Sequence, residues 1–165
     1  VHIKNNIILN SFMIYRVEKL IDGFSTCFRQ WNANSHCRFL HGYAISLRLH
    51  FKAEVLDECN WVWDFGWLKD TRFTINNMTT RDWLHYMFDH TVVLSEKDPA
   101  LEKFIQMDKD GLIQLRTVPF FSCEGIAKYV LDILHPLIDQ ASNQRASLYR
   151  IDVLENNKNM ASAEL

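Results

Sequence analysis

Hydrophobic and polar positions alternate along two long stretches of this chain and then change period. From Ile14 to Phe28, β-branched and aromatic residues dominate, with a break at Asp22-Gly23. That reads as a long strand with a bulge or bend at the glycine. Residues 29–40 are polar and irregular, as expected of a loop. From Tyr43 to Val55, Ile45, Leu47, Leu49 and Phe51 share one face, and Ser46, Arg48, His50 and Lys52 share the other. Period two of this kind marks a half-buried antiparallel strand. The two strands form a long hairpin with an insertion at its tip.

Beyond Val55 the pattern turns helical. Residues 57–60 read as a turn, and Asp64 is placed to cap a helix over residues 66–76. Thr79 or Thr80 opens a second helix with Trp83, Leu84, Met87 and Phe88 on one side. Asp98-Pro99 opens a short third one. Leu112 to Val118 reads as a short strand. Ser122 caps a helix that carries Ile126, Val130, Ile133, Leu134 and Leu137 at helical spacing. Glu124 lies in its first turn, where the helix dipole favours negative charge. Pro136 is expected to kink or end it. Arg145 to Leu154 is the last strand, followed by Glu155 and polar residues. The order predicts an α+β domain, an antiparallel sheet with helices on one face. Residues 13–160 read as that single domain. Residues 1–12 read as an N-terminal extension, with Met13 the expected natural start, and residues 161–165 as a tail.

Composition narrows the function classes. At 165 residues and 48% hydrophobic, the chain can fill one core. A net charge of −2 gives no reason to expect nucleic acid or an anionic membrane as partner. No apolar run reaches membrane-spanning length. The four cysteines, Cys27, Cys37, Cys59 and Cys123, form no C-x-x-C pair and follow no secretory signal. They read as reduced thiols of a cytoplasmic protein. No Walker-type loop, dinucleotide fingerprint or Ser-His-Asp arrangement is evident in the sequence.

Six short motifs follow one another in a telling order. They are Phe24-Ser25-Thr26-Cys27-Phe28, Cys37-x-x-Leu40-His41-Gly42-Tyr43, Trp63-Asp64-Phe65-Gly66-x-Leu68-Lys69, Phe88-Asp89-His90, Ser122-Cys123-Glu124-x-Ile126-Ala127 and Val153-x-Glu155. In this register, over about residues 14–160, the chain resembles the 6-pyruvoyltetrahydropterin and 6-carboxytetrahydropterin synthase family. The short gap from Cys37 to His41 is similar to the bacterial carboxy-type enzyme.

The resemblance implies the tunnelling fold: a four-stranded antiparallel sheet with two main helices on one face. Subunits of that fold close into a β-barrel, as trimers that stack into hexamers, with pterin sites between them. The implied substrate is a reduced pterin such as 7,8-dihydroneopterin triphosphate. The implied reaction is a lyase-type elimination of triphosphate with side-chain cleavage or rearrangement, feeding 7-deazapurine (queuosine-type) synthesis.

The resemblance also assigns roles. Cys37 is the proton-moving residue. Its chemistry needs a thiolate, which neighbouring positive charge favours, and His36 and Arg38 flank it. Asp89 and His90 match the pair that assists it, the carboxylate orienting the ring. Glu155 matches the anchor of the pterin edge, whose adjacent N–H donors a carboxylate accepts. Glu124 matches a second glutamate near the ring, though dipole and capping alone would account for it. Arg29, Arg38 and Lys69 lie near the motifs and could meet a triphosphate. Most of Trp31, Trp61, Trp63, Trp67 and Trp83 are expected in packing.

The metal site is where the chain departs from the family. There, zinc takes one histidine from the first strand and two from a His-Gly-His. Here those positions are Phe28, His41 and Tyr43. Catalytic zinc normally has three protein ligands, and one imidazole does not hold it. A rebuilt site would need His36, with Cys37, folded inward toward His41; His50 has the wrong strand parity. Loss of a Lewis acid removes several kcal/mol of transition-state stabilisation. Two alternatives to the synthase therefore stand: a non-catalytic pterin-binding protein, and a metal-free enzyme on another pterin. Keeping Cys37, Asp89, His90 and Glu155 together favours catalysis over a scaffold.

Overall fold

A computed structural model describes residues 13–165. The expectations for residues 1–12 lie outside the described residues. Strand β1 (Tyr15–Phe28) and strand β2 (His41–Ala53) form the predicted hairpin, antiparallel and in register from Tyr15↔Ala53 to Phe28↔His41. The register shifts between Ile21 and Phe24, where Gly23 takes φ +83°. This is the bulge that the Asp22-Gly23 break predicts, at a conformation glycine adopts without strain. The predicted face of β2 is the buried one: Ile45, Leu47, Leu49 and Phe51 are all in the core.

Two short strands, β3 (Thr74–Ile75) and β4 (Met78–Thr79), precede helix α1 (Thr80–Phe88). Strand β5 (Thr91–Ser95), helix α2 (Leu101–Lys109), strand β6 (Leu115–Val118) and helix α3 (Cys123–Ala141) follow. Strands β7 (Ala146–Leu154) and β8 (Met160–Glu164) close the chain. The main sheet has the order β6-β5-β1-β2-β7-β8. Its antiparallel part is the four strands β1, β2, β7 and β8; β5 and β6 extend one edge in parallel. Helices α1 and α3 bury Trp83, Leu84, Phe88, Ile126, Val130, Leu134 and Ile138 in one core with the β1, β2 and β7 side chains.

Two expectations change, one strand is additional to the reading, and one helix continues past a proline. The helix predicted over residues 66–76 is a single 3-10 turn, Phe65–Lys69, capped as expected by Asp64, whose Oδ1 accepts from the Gly66 N–H at 2.7 Å. It ends at Lys69 with Asp70 extended, and further on Asn76 and Asn77 take left-handed φ, 51° and 64°, and turn the β3–β4 hairpin. Strand β5 is buried along its whole length, so it shows no alternation to read. Pro136 does not end α3. Leu134 and Ile138 are fully buried on either side of it, so packing holds both halves. The segment read as a tail is the body of β8, paired with β7 from Leu154↔Met160 to Arg150↔Glu164.

Two buried carboxylates tie the sheet together. Asp98 receives Arg29 Nε and Nη2 at 2.7 and 2.8 Å and the Ala100 N–H at 2.8 Å. Asp152 meets His50 Nε2 and Arg150 Nε, each at 2.7 Å. Burial alone would raise both carboxyls. The bonds from Arg29 and Ala100, and from Arg150 and His50, outweigh it and hold both below the ordinary carboxylate range. A carboxyl depressed by folding contributes stability above its unfolded pKa, about 3.9, and loses it as pH falls through the folded value. Urea midpoints are therefore expected to be level above about pH 5 and to fall steadily below about pH 4. Asp98→Asn is expected to be less stable at neutral pH and to fall less on acidification; an unchanged acid slope would contradict this role.

Candidate functional site

Termini of four elements meet at one cavity of about 390 Å³, lined by Phe28, Cys37, His41, Phe121, Cys123, Glu124 and Glu155 among others. Phe28 ends β1 and His41 begins β2, so the hairpin delivers both as cross-strand partners. Ser122 caps α3 by accepting from the Gly125 N–H at 3.0 Å, and this sets Cys123 and Glu124 at the helix start. Glu155 follows β7. Its Oε2 accepts from Asn159 Nδ2 at 3.0 Å, and its N–H donates to the Asn159 carbonyl at 3.1 Å. The turn thus fixes the carboxylate while leaving one oxygen free of that bond.

Cys37 is half-buried in a 3-10 turn, His36–Arg38, within the loop. Gln30 holds that loop in place. Its N–H donates to the Cys37 carbonyl at 2.9 Å, and its side-chain Nε2 donates to the Phe121 carbonyl at 2.8 Å. The Arg29–Asp98 pair anchors the loop's first residue. The second thiol in the cavity is Cys123: burial pushes it up to about 11, and Glu155 and Glu124 add to the rise. It stays protonated at neutral pH.

Four of the sequence-predicted residues, Cys37, His41, Glu124 and Glu155, therefore meet in one cavity. Asp89 and His90 do not line it. They form their own pair, His90 Nδ1 to Asp89 Oδ1 at 2.9 Å, beside β1. The Ser25 N–H, 3.2 Å from Asp89 Oδ1, does most to lower this carboxyl; burial opposes it, and His85 and His90 reinforce it. His90 takes φ 56°, an uncommon conformation for a non-glycine residue, and its side chain is 78% exposed. With Nδ1 committed to Asp89, Nε2 has no hydrogen-bond partner among the described residues.

Among the described residues, no group of three His, Cys, Asp or Glu side chains is arranged to hold a metal ion. The observed contacts explain why. Phe28 meets His41 edge-on at 4.7 Å between ring centroids, and Tyr43 meets His41 at 5.7 Å. His41 Nδ1 lies 2.7 Å from the Phe39 carbonyl. His36 stays exposed and does not line the cavity, so it does not stand in for a missing ligand. The residues present do not fit a zinc ion.

The other candidates have structural partners. His50 sits between Asp152 and Glu18. His135 braces α3 against β7, with Nδ1 3.0 Å from the Leu148 carbonyl and Nε2 3.2 Å from Asp139. Arg29 is taken by Asp98. Lys69 lines a different and larger cleft of about 890 Å³, with Trp61, Trp63, Trp67, Arg72 and Arg145. That cleft's guanidinium groups are engaged: Arg72 with Asp70, and Arg145 with the carbonyls of Val55, Trp61 and Val62. None of Cys37, His41, Asp89, His90, Glu124 and Glu155 lines it; four of them line the smaller cavity. Gln30, Phe121, Cys123 and Asn159 were not legible as site residues. Their roles depend on loop closure, which no local pattern encodes.

Gly42 sits opposite Cys27 in the β1–β2 pairing. A Cβ there would stand 2.9 Å from the Thr26 carbonyl oxygen and 3.0 Å from Cys27 Sγ. Backbone cannot yield cheaply, so Gly42→Ala is expected to cost about 1–3 kcal/mol, the ordinary range for overpacking. Thermal unfolding should show a fall of several degrees; an unchanged midpoint would mean the strands have slack.

A family model described as 6-pyruvoyl tetrahydropterin synthase matches residues 19–165. The 6-carboxy-5,6,7,8-tetrahydropterin synthase of Rickettsia typhi is 30% identical over 107 residues, 63% of this chain and 70% of that protein. That of Rickettsia felis is 30% identical over 70 residues, 42% of this chain, and the match spans only 45% of its length. An uncharacterized protein of Wolinella succinogenes superposes with a TM-score of 0.76 at 19% identity, over 92% of this chain and 98% of that one. The 6-pyruvoyl tetrahydropterin synthase of Caenorhabditis elegans superposes with a TM-score of 0.59 at 17% identity, over 93% and 97%. At these identities the structures speak for a shared fold, the tunnelling fold. The family match covers nearly the whole domain, and the chain belongs to the 6-pyruvoyl tetrahydropterin synthase family.

Proposed function

We propose that the cavity binds a reduced pterin such as 7,8-dihydroneopterin triphosphate and that the protein performs a 6-carboxytetrahydropterin synthase type of lyase reaction on it, in 7-deazapurine synthesis. The observation that carries this reading is the convergence of Cys37, His41, Glu124 and Glu155 on one cavity. Its volume, about 390 Å³, lies within the usual range for small-molecule sites. A pterin presents adjacent N–H donors along one edge, and Glu155 is the fixed carboxylate that would accept them. Phe28 and Phe121, 4.6 Å apart, offer an apolar wall to the flat ring.

The chemistry asked of this chain is proton transfer. A C–H beside the ring's C=N is acidified, because the electron pair left behind enters the ring. Cys37 takes that proton and returns one to the ring carbon. The hydroxyl proton passes to the ring nitrogen as that carbon becomes a carbonyl. The next carbon then loses its proton and triphosphate departs with the C–O electron pair. Water adding to the ring-side carbonyl lets the outer two carbons leave with a proton as an aldehyde, so that a carboxyl remains on the ring. No step here is routed through a metal. Asp89 and His90 act in the cavity of a neighbouring copy, in a barrel built as a trimer or hexamer. Supporting this is the position of His90, exposed and outside its own chain's cavity. Asp89 holds Nδ1–H, which leaves Nε2 to accept or give the proton.

The aromatic contacts of His41 favour a second reading: binding of a pterin without turnover. One assay separates the two. The full chain is incubated with 7,8-dihydroneopterin triphosphate, and free triphosphate and pterin products are followed. Catalytic release supports the synthase; a ligand retained intact at one per chain supports the binding protein.

A further inference from the structure

Phe28, His41 and Tyr43 form a triangle of ring centroids with sides of 4.7, 5.7 and 5.9 Å. Phe28 faces His41 across the hairpin, and Tyr43 lies two positions on along the same strand face. These dimensions have a meaning in coordination geometry. A zinc–nitrogen bond of about 2.0–2.1 Å, plus roughly 1.1 Å from nitrogen to ring centre, puts an imidazole centroid about 3.2 Å from the metal. At a tetrahedral angle, three such rings stand about 5.2 Å apart. The backbone therefore presents a triangle of metal-site size, while two of its corners carry rings that supply no imidazole nitrogen. Phe28 is only 6% exposed and packs on to Phe121 as well. This corner is closed by ring edges.

We propose that this triangle is an aromatic ligand platform built on a metal-site backbone: it contacts a flat heterocycle through Phe28 and His41, works without metal, and becomes a zinc site when Phe28 and Tyr43 are replaced by histidine. The ligand half of this rests on the pterin reading above; the metal half does not. An aromatic wall beside the carboxylates suits a planar ring with a polar N–H edge and an apolar face. Such binding has no metal dependence.

The test uses the full chain, stripped with chelator and titrated with zinc against a chromophoric competitor. The parent is expected to take up no stoichiometric zinc. Phe28→His/Tyr43→His is expected to bind one zinc per chain, about 100-fold or more tightly than the parent. Tyr43→His alone changes only a half-exposed position and should gain roughly tenfold, which keeps the test open should the double variant fail to fold. One tightly held zinc in the parent overturns the proposal. So does a folded double variant that gains no affinity. In a separate titration with 7,8-dihydroneopterin, chelator is expected to leave affinity unchanged, and Phe28→Leu to weaken it about three- to tenfold by removing the ring. Chelator-sensitive pterin binding contradicts the platform. A parent that binds no pterin at all removes the pterin reading and the platform's ligand role with it, while the zinc titration still judges the triangle.

Discussion

Cys37→Ala is expected to lower turnover of 7,8-dihydroneopterin triphosphate by about 10²–10⁴-fold, the usual worth of a positioned acid–base group. Pterin affinity should stay within about threefold, because the substitution removes one sulfur from a half-buried turn. The turn itself should survive. It is held by backbone and Gln30 bonds, including the one that the Cys37 carbonyl accepts, and alanine keeps that carbonyl. The comparison is informative because the cavity holds two thiols. Cys123 is kept protonated by burial and the nearby glutamates, so Cys123→Ala is the control that should leave the chemistry in place. Steady-state rates with triphosphate release as readout check this. Equal turnover by Cys37→Ala and parent would remove Cys37 from the mechanism.

Glu155→Gln carries the second large effect, and it falls on binding. A carboxylate that accepts two N–H donors makes charge-assisted bonds, and a hydrogen bond to a charged group is worth about 1.5–3 kcal/mol. Glutamine keeps the shape, but its amide can present an N–H where the ring also presents one. Affinity for the pterin is expected to fall about 10–100-fold, with a smaller effect for Glu124→Gln, whose side chain is exposed at the helix start. The Asn159 bond to Glu155 survives in part through the amide oxygen, so unfolding should barely change. Equilibrium fluorescence titration checks both. An unchanged affinity for Glu155→Gln would mean the ring edge lies elsewhere.

The strands and helices that carry strong periodicity were legible in the sequence. The β1–β2 hairpin, the Gly23 bulge, α1, and α3 with its Ser122 cap follow from alternation, spacing and capping chemistry. What escaped has a common cause. Strand β5 is buried on all its residues and so lacks a period; the 65–79 segment contains a hairpin turned by two left-handed asparagines; β8 is a five-residue edge strand, too short and mostly of small residues to show a strand signal. Tertiary context decides each of these.

The site divides the same way. Cys37, His41, Glu124 and Glu155 were identified through ordered motifs, and the fold brings them together. The departure at Phe28 and Tyr43 was equally visible as a loss of ligands. That the two rings would close around His41, with Phe121 joining from before α3, was not. Nor could the sequence show that Asp89 and His90 stand outside their own cavity, because that depends on where β1 runs past the end of α1.

The most direct test of the central claim is a crystal structure of the full chain grown with a reduced pterin. The account predicts the ring in the cavity, its N–H edge on Glu155, its face against Phe28, His41 and Phe121, Cys37 beside the side chain, and His90 of a second copy approaching the same ligand. A cavity left empty at saturating pterin, or a ring held elsewhere, would contradict it.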